Sequence, residues 1–410
     1  MMQPIRTHWR SIALLLAFAL GILLFLAVSL VTGIRSLLTL LNGSADPTGD
    51  MIKSFASGFE LILLVICAWF LLQRTLYKPE ADLPFRFPFA GWQISVSCMI
   101  FVFSIALGTI AAMSEIRWLS WLLLPTLTIF TVLLPIFLFL GIGTRGVPFG
   151  PRWKAWSTLG MGLTIGPAFM ITLEILALFF FALVGFIALA GHPEVIRELL
   201  RIGKLLAQNV SEETAVELLA PYIVQPVTIA SLFIYLSLAV PLIEELLKPL
   251  AVWLFAKNLN SPTNGFALGM LGGAAFALVE SLNVSSDGGS GWSVVVLVRA
   301  GTSLLHMTTS GLMGFAIVEL FQRKRLGRFL ATYLAAVLLH GLWNACAIGA
   351  GLASVGEMVG RPEWIWDLPA ALGGISVLSV GIFFVLVAAN RRVRSLVPAA
   401  QEVAPEEGVK

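Results

Sequence analysis

Charge is what this sequence has least of. Asp, Glu, Lys and Arg make up 12% of the 410 residues, while 58% are hydrophobic. A water-soluble chain of this length needs far more polar surface. The mean hydropathy of +0.92 points instead to an all-α polytopic membrane protein. Cysteine is equally scarce. Cys67, Cys98 and Cys346 all fall in apolar segments and form no CxxC, which argues against disulfides and thiolate metal sites. No basic stripe with interleaved aromatics is present, so nucleic acid is not an expected partner. Solenoid repeats and soluble domains are absent from the pattern as well. The first apolar run is too long for a signal h-region and lacks a small-residue cleavage site, so it is expected to stay as a span.

What is present is a series of apolar runs long enough to cross a bilayer. Ten are expected, at about residues 11–32, 54–73, 93–113, 119–143, 157–190, 227–255, 265–284, 292–321, 329–350 and 368–390. The fifth is long enough to kink, with Gly166–Pro167 as the expected place. With the N-terminus inside, 17 Lys and Arg fall in inner segments and 7 in outer ones. That bias predicts a cell-membrane protein with both termini cytoplasmic. The expected organisation is a five-helix scaffold over 1–190, an extracytoplasmic loop over 191–226, a core over 227–350, and a last span with a disordered tail over 351–410. In the loop, Val195, Ile196, Leu199, Leu200 and Ile202 recur at helical spacing among Glu198, Arg201 and Lys204. This reads as short amphipathic helices near the membrane surface, serving as a connector or a substrate gate.

Ionisable residues inside spans are costly, and they are unevenly distributed. The first five spans hold only Glu60 and Glu174, which read as buried hydrogen-bonding partners. Spans six to nine hold Glu244, Glu245, Lys248, Glu280, Arg299, His306, Glu319 and His340, including two of the four histidines. At helical rise, Glu244 and His340 lie about 16 Å from the cytoplasmic ends of their helices, and Glu280 and His306 about 22 Å. Four helices therefore bring an acid or an imidazole to one layer near the bilayer midplane.

Local spacings add detail. In EELLK, Glu244 and Lys248 are i,i+4 and can pair. His306 with Ser310, and His340 with Asn344, share a face in the same way, so a hydroxyl or an amide can orient each ring. Pro241 and Pro249 remove the helical donors for the Ser237 and Glu245 carbonyls. Arg299 reads as an anchor or a contact for a substrate carboxylate. Two carboxylates and two imidazoles suit the activation of water against an amide carbonyl, directly or through a metal. A second acid or Asn344 would then serve the oxyanion or the leaving amine.

Four ordered motifs carry a family resemblance: EELLK (Glu244, Glu245, Lys248), FALVESLN (Glu280, Asn283), HMTTSG (His306) and HGLWN (His340, Asn344). They resemble the PrsW family of intramembrane proteases, related to the CAAX-type prenyl endopeptidases. Val279 and Val284 stand where that family has Phe and Tyr. The resemblance implies an endopeptidase acting on membrane-embedded or membrane-proximal peptide bonds, with single-pass or anti-sigma-factor-like proteins as substrates and the lipid bilayer as surroundings. It implies Glu244, Glu245, Glu280, His306, His340 and Asn344 as catalytic residues. Lys248, Ser310 and Asn283 would support them. Glu244, His306 and His340 are the ligands if one divalent metal, zinc first, is used; a metal-free glutamate mechanism is the other form.

Two readings from other classes stand beside this one. Midplane Glu, His and Lys with proline-broken helices also suit a proton-coupled transporter, but the first half of the chain holds no counterpart of EELLK or HGLWN. A non-catalytic relative that binds a membrane partner is the other.

Overall fold

A computed structural model describes residues 9–397 apart from 44, 115, 209, 211, 286, 287 and 290. The tail expected to be disordered lies almost wholly outside the described residues. The described chain is helical: α1 (Trp9–Asn42), α2 (Thr48–Thr75), α3 (Trp92–Met113), α4 (Arg117–Gly143), α5 (Arg152–Leu163), α6 (Ile165–Ala188), α7 (Pro193–Leu206), α8 (Glu212–Ile223), α9 (Pro226–Ile234), α10 (Val240–Leu247), α11 (Leu250–Phe255), α12 (Pro262–Val284), α13 (Trp292–Arg323), α14 (Leu326–Val355) and α15 (Leu368–Arg394). Among the described residues ten stretches are long and apolar enough to cross a membrane, one for each expected run. The protein is an all-α multi-pass membrane protein.

The fifth span breaks at Thr164 (φ −128°, ψ −80°), between α5 and α6, rather than at Gly166–Pro167. The cause is still the proline. Pro167 has no N–H for the Leu163 carbonyl four residues back, so the helix ends at Leu163 and restarts with Pro167 in its first turn.

The chain divides into two compact units. The first comprises residues 1–167, 248–333 and 381–410; the second comprises 168–247 and 334–380.

In the first unit, α12 is the most buried helix. Ser261 caps it by accepting from the Asn264 N–H, and Pro262 occupies its first turn, where a missing N–H costs nothing. From Pro262 to Val279 it carries no charge, and Gly265, Gly269 and Gly273 recur every four residues on one face. That face packs on α13. A Cβ at Gly265 would meet the Gly314 carbonyl, at Gly269 the Ser310 carbonyl, and at Gly273 the His306 carbonyl. Small residues at this spacing let two membrane helices approach backbone to backbone, where van der Waals contact replaces the hydrophobic drive that lipid cannot supply. The seam fixes the register of α13 on α12 and so sets His306 against the end of α12. Around it, Trp292 packs with Ile52, Leu124, Leu127 and Val296 and donates to Thr128 Oγ1 at 2.9 Å. Asn390 reaches the Gly143 carbonyl at 2.7 Å, satisfying an orphan at the end of α4.

In the second unit, α7 and α8 lie in the loop where short amphipathic helices are expected, and Ile202 of α7 is buried. Arg201 bonds Glu198 at 2.6 Å and holds that carboxyl below its usual range. Between α9 and α10 the chain makes a π-helical turn, Tyr235–Ala239, in which Val240 N–H reaches back five residues to the Tyr235 carbonyl. Tyr235 also donates its hydroxyl to the Glu174 carbonyl at 2.9 Å.

Candidate active site

The residues singled out by sequence fall into two groups, one in each unit. The boundary between the units passes through EELLK, after Leu247.

In the second unit, α10 carries Glu244 and Glu245, and α14 carries His340 and Asn344. All but Asn344 are buried, Glu245 completely. His340 Nδ1 lies 2.8 Å from Glu245 Oε1. An ionised carboxylate can only accept, so Nδ1 carries the proton and Nε2 offers its lone pair. Nε2 faces Glu244 Oε2 at 3.8 Å, longer than a hydrogen bond. One carboxylate thus orients the ring while the other stands beside its basic nitrogen. That is the carboxylate–imidazole arrangement in which a histidine serves as a base or a metal ligand.

The π turn explains how α10 is held there. Tyr235 takes the Val240 N–H, so Leu236 would need the N–H of residue 241, and residue 241 is proline. Asn344 Nδ2 donates to the Leu236 carbonyl at 2.8 Å and fills that vacancy. α-Helical spacing alone puts the lost donor at Ser237; the π register moves the orphan back by one residue. Gly341 allows the close approach, because a Cβ there would meet the Ser237 carbonyl.

In the first unit, Lys248, His306, Glu280 and Arg299 form a chain. Lys248 Nζ lies 2.7 Å from His306 Nδ1, and His306 Nε2 lies 2.7 Å from Glu280 Oε2. Arg299 holds Glu280 at 2.6 Å and also reaches Ser281 Oγ at 3.2 Å. An ammonium only donates, so His306 Nδ1 accepts and Nε2–H donates to Glu280. Phe276 meets the His306 ring edge-to-face at 5.0 Å and lies under Lys248 at 5.0 Å. His306 thus has both nitrogens engaged.

The remaining predicted residues are placed differently. Ser310 faces Gly273 across the helix seam, and its buried hydroxyl has no partner among the described residues. The His306 ring is oriented by Lys248 and Glu280. Asn283 donates to Val279 in its own helix at 2.8 Å. Sequence suggests an anchor or a substrate contact for Arg299, and the structure gives it Glu280. The glycine seam beneath His306 was not read from sequence, although its i,i+4 spacing is plain there.

Comparison with known proteins returned one family model, described as PrsW family intramembrane metalloprotease, which matches residues 174–389. Neither a search of curated proteins nor one of solved structures gave a match. The matched stretch covers more than half of the chain and every candidate site residue.

Proposed function

The chain belongs to the PrsW family of intramembrane metalloproteases, and from that premise we propose that it hydrolyses peptide bonds of single-pass or anti-sigma-factor-like membrane proteins with water activated by Glu244 and His340. Membership makes it a membrane-bound peptidase acting on membrane proteins in the bilayer. The observation that carries the finer reading is the placement of His340 between two carboxylates, 2.8 Å from Glu245 and 3.8 Å from Glu244.

In this reading Glu245 holds the tautomer of His340, and Nε2 with Glu244 takes a proton from water as its oxygen attacks the scissile carbonyl. The same proton then passes to the leaving amine. Asn344 commits one amide hydrogen to Leu236, and its second is available to the oxyanion. His306, Glu280 and Lys248 are the remaining motif residues in sequence order, and they form their own hydrogen-bonded chain in the first unit.

The donor chemistry supports a divalent metal, zinc first, at Glu244 and His340, since a deprotonated carboxylate and an imidazole oriented by a second carboxylate are common zinc ligands. A bound metal would lower the pKa of its water and polarise the carbonyl. His306, the third candidate ligand, suits it less well, because Lys248 brings an ammonium to Nδ1 and Glu280 occupies Nε2. That observation favours the metal-free glutamate form as the second reading. The excess of Lys and Arg in inner segments supports cytoplasmic termini.

The test compares membrane proteomes of cells expressing the wild type and Glu244→Gln, with new peptide termini mapped. A membrane protein cut only in wild-type cells is the expected result. Identical termini, with both proteins well expressed, would favour the carrier or binding readings. Metal content of purified wild type and His340→Ala then separates the two catalytic forms.

A further inference from the structure

A second constellation lies in the first unit, at the C-terminal end of α13. Glu319 is buried, its side chain 1% exposed, and three guanidiniums close on its carboxylate. Arg323 and Arg325 share Oε1 at 3.1 Å each, and Arg328 takes Oε2 at 2.6 Å. The arginines themselves are 47–52% exposed. A guanidinium has five N–H donors, so each retains donors beyond those used on Glu319.

The charges do not balance locally. With exposed Lys324 the group holds four cations. Against them stands one carboxylate, and the half-unit negative end of α13 is offset by the positive end of α14, leaving a surplus of about +3. One or two cations would have satisfied Glu319 and the helix terminus.

The position supplies the missing anion. One candidate span ends at Arg323 and the next begins at Leu326. Beside the arginines stands an aromatic group: Trp253 packs edge-on to Phe321 at 6.1 Å and to Phe329 at 5.5 Å, and Phe329 stacks on Tyr333 at 6.3 Å. Aromatic residues collect at the depth of lipid headgroups. Leu326 and Leu330, which share one face of α14 away from Arg328, are 54% and 46% exposed. Guanidiniums preset for an oxyanion, in the short turn between two apolar spans and close in sequence to aromatic side chains, match the phosphate of a lipid headgroup.

We propose that Arg323, Arg325 and Arg328, pre-ordered by buried Glu319, bind the headgroup phosphate of an anionic glycerophospholipid. The site is independent of the catalytic reading.

The test is native mass spectrometry of the full-length protein in detergent, titrated with phosphatidylglycerol or phosphatidylcholine, with inorganic phosphate as competitor. Wild type is expected to bind phosphatidylglycerol about tenfold more tightly than phosphatidylcholine. Arg325→Gln/Arg328→Gln is expected to weaken phosphatidylglycerol binding about 25-fold, at roughly fivefold per basic residue. The pair Arg391→Gln/Arg392→Gln, at the C-terminal end of α15, is expected to change it less than about twofold. Equal affinity for the two lipids, retention by the first variant, an equal loss in the second, or displacement of lipid by inorganic phosphate would each overturn the proposal. If the glutamine variant does not fold, Arg325→Lys/Arg328→Lys keeps the charge but loses the guanidinium fork, and unchanged lipid selectivity there would overturn it too.

Discussion

Asn344 Nδ2 donates to the Leu236 carbonyl at 2.8 Å, and it does so because Pro241 cannot. The π turn shifts the backbone register by one residue, and the donor that register requires is the one a proline lacks. Asn344→Leu therefore leaves a carbonyl unsatisfied at membrane depth and is expected to cost about 1–3 kcal/mol. Pro241→Ala restores the missing N–H. In the double variant the cost of Asn344→Leu should fall below about 1 kcal/mol. An unfolding titration of the four proteins in mixed micelles measures this coupling, and strictly additive effects would disprove the assignment.

Lys248 sets the tautomer of His306. With an ammonium 2.7 Å from Nδ1 and a carboxylate 2.7 Å from Nε2, the proton belongs on Nε2. The chain has only four histidines, so ring-nitrogen NMR of ¹⁵N-histidine protein, assigned by substitution, can read it directly. Wild type should show a protonated Nε2 and an unprotonated Nδ1 at His306. Lys248→Met should broaden or exchange these signals and reduce cleavage about 10- to 100-fold, the usual effect of losing an orienting partner. An unchanged spectrum in the variant would remove Lys248 from this role.

The glycine seam should be intolerant where a surface glycine is not. A Cβ at Gly273 would lie 2.5 Å from the His306 carbonyl, which is backbone and cannot swing aside. Gly273→Ala should therefore cost about 2–3 kcal/mol and displace α13 under His306. If His306 takes the catalytic part proposed for it, a shift of about 1 Å is expected to lower the rate about 100-fold. Gly381→Ala, on α15 with nothing within 4 Å, should be neutral or stabilise by up to about 1 kcal/mol. Equal stability of the two variants would show that the seam is not close-packed.

The spans were legible because a bilayer imposes length and hydropathy on every helix that crosses it, and both are read from one chain segment at a time. The polar residues of α10, α12, α13 and α14 were legible for the same reason, since charge in an apolar run is conspicuous. Their partners were not. Lys248 meets His306 and His340 meets Glu245 across 58 and 95 residues, and i,i+4 spacing ranks only neighbours on one helix. It therefore offered Glu244 to Lys248, and Ser310 and Asn344 to the imidazoles. The proline effects were located to within a few residues. Pro167 acts at Leu163 and Pro241 at Leu236, because a missing N–H is felt at the acceptor upstream, and which acceptor depends on whether the turn is α or π.

The two adjacent glutamates should respond differently to the same substitution. Glu245 accepts from His340 Nδ1–H at 2.8 Å, a task that the carbonyl oxygen of glutamine can still perform. Glu244 faces Nε2 at 3.8 Å, and in the proposed role of base or metal ligand it needs the charge that glutamine lacks. Glu245→Gln should therefore retain measurable cleavage, reduced about 10- to 100-fold through a weaker hold on the ring. Glu244→Gln should fall at least about 10⁴-fold, to background. Both variants should fold, since each substitution replaces a buried carboxylate by a neutral group of the same shape. Initial rates on one fluorogenic transmembrane peptide decide the matter. Equal loss in the two variants would make the carboxylates a coupled pair sharing one role, and greater loss in Glu245→Gln would exchange their assignments.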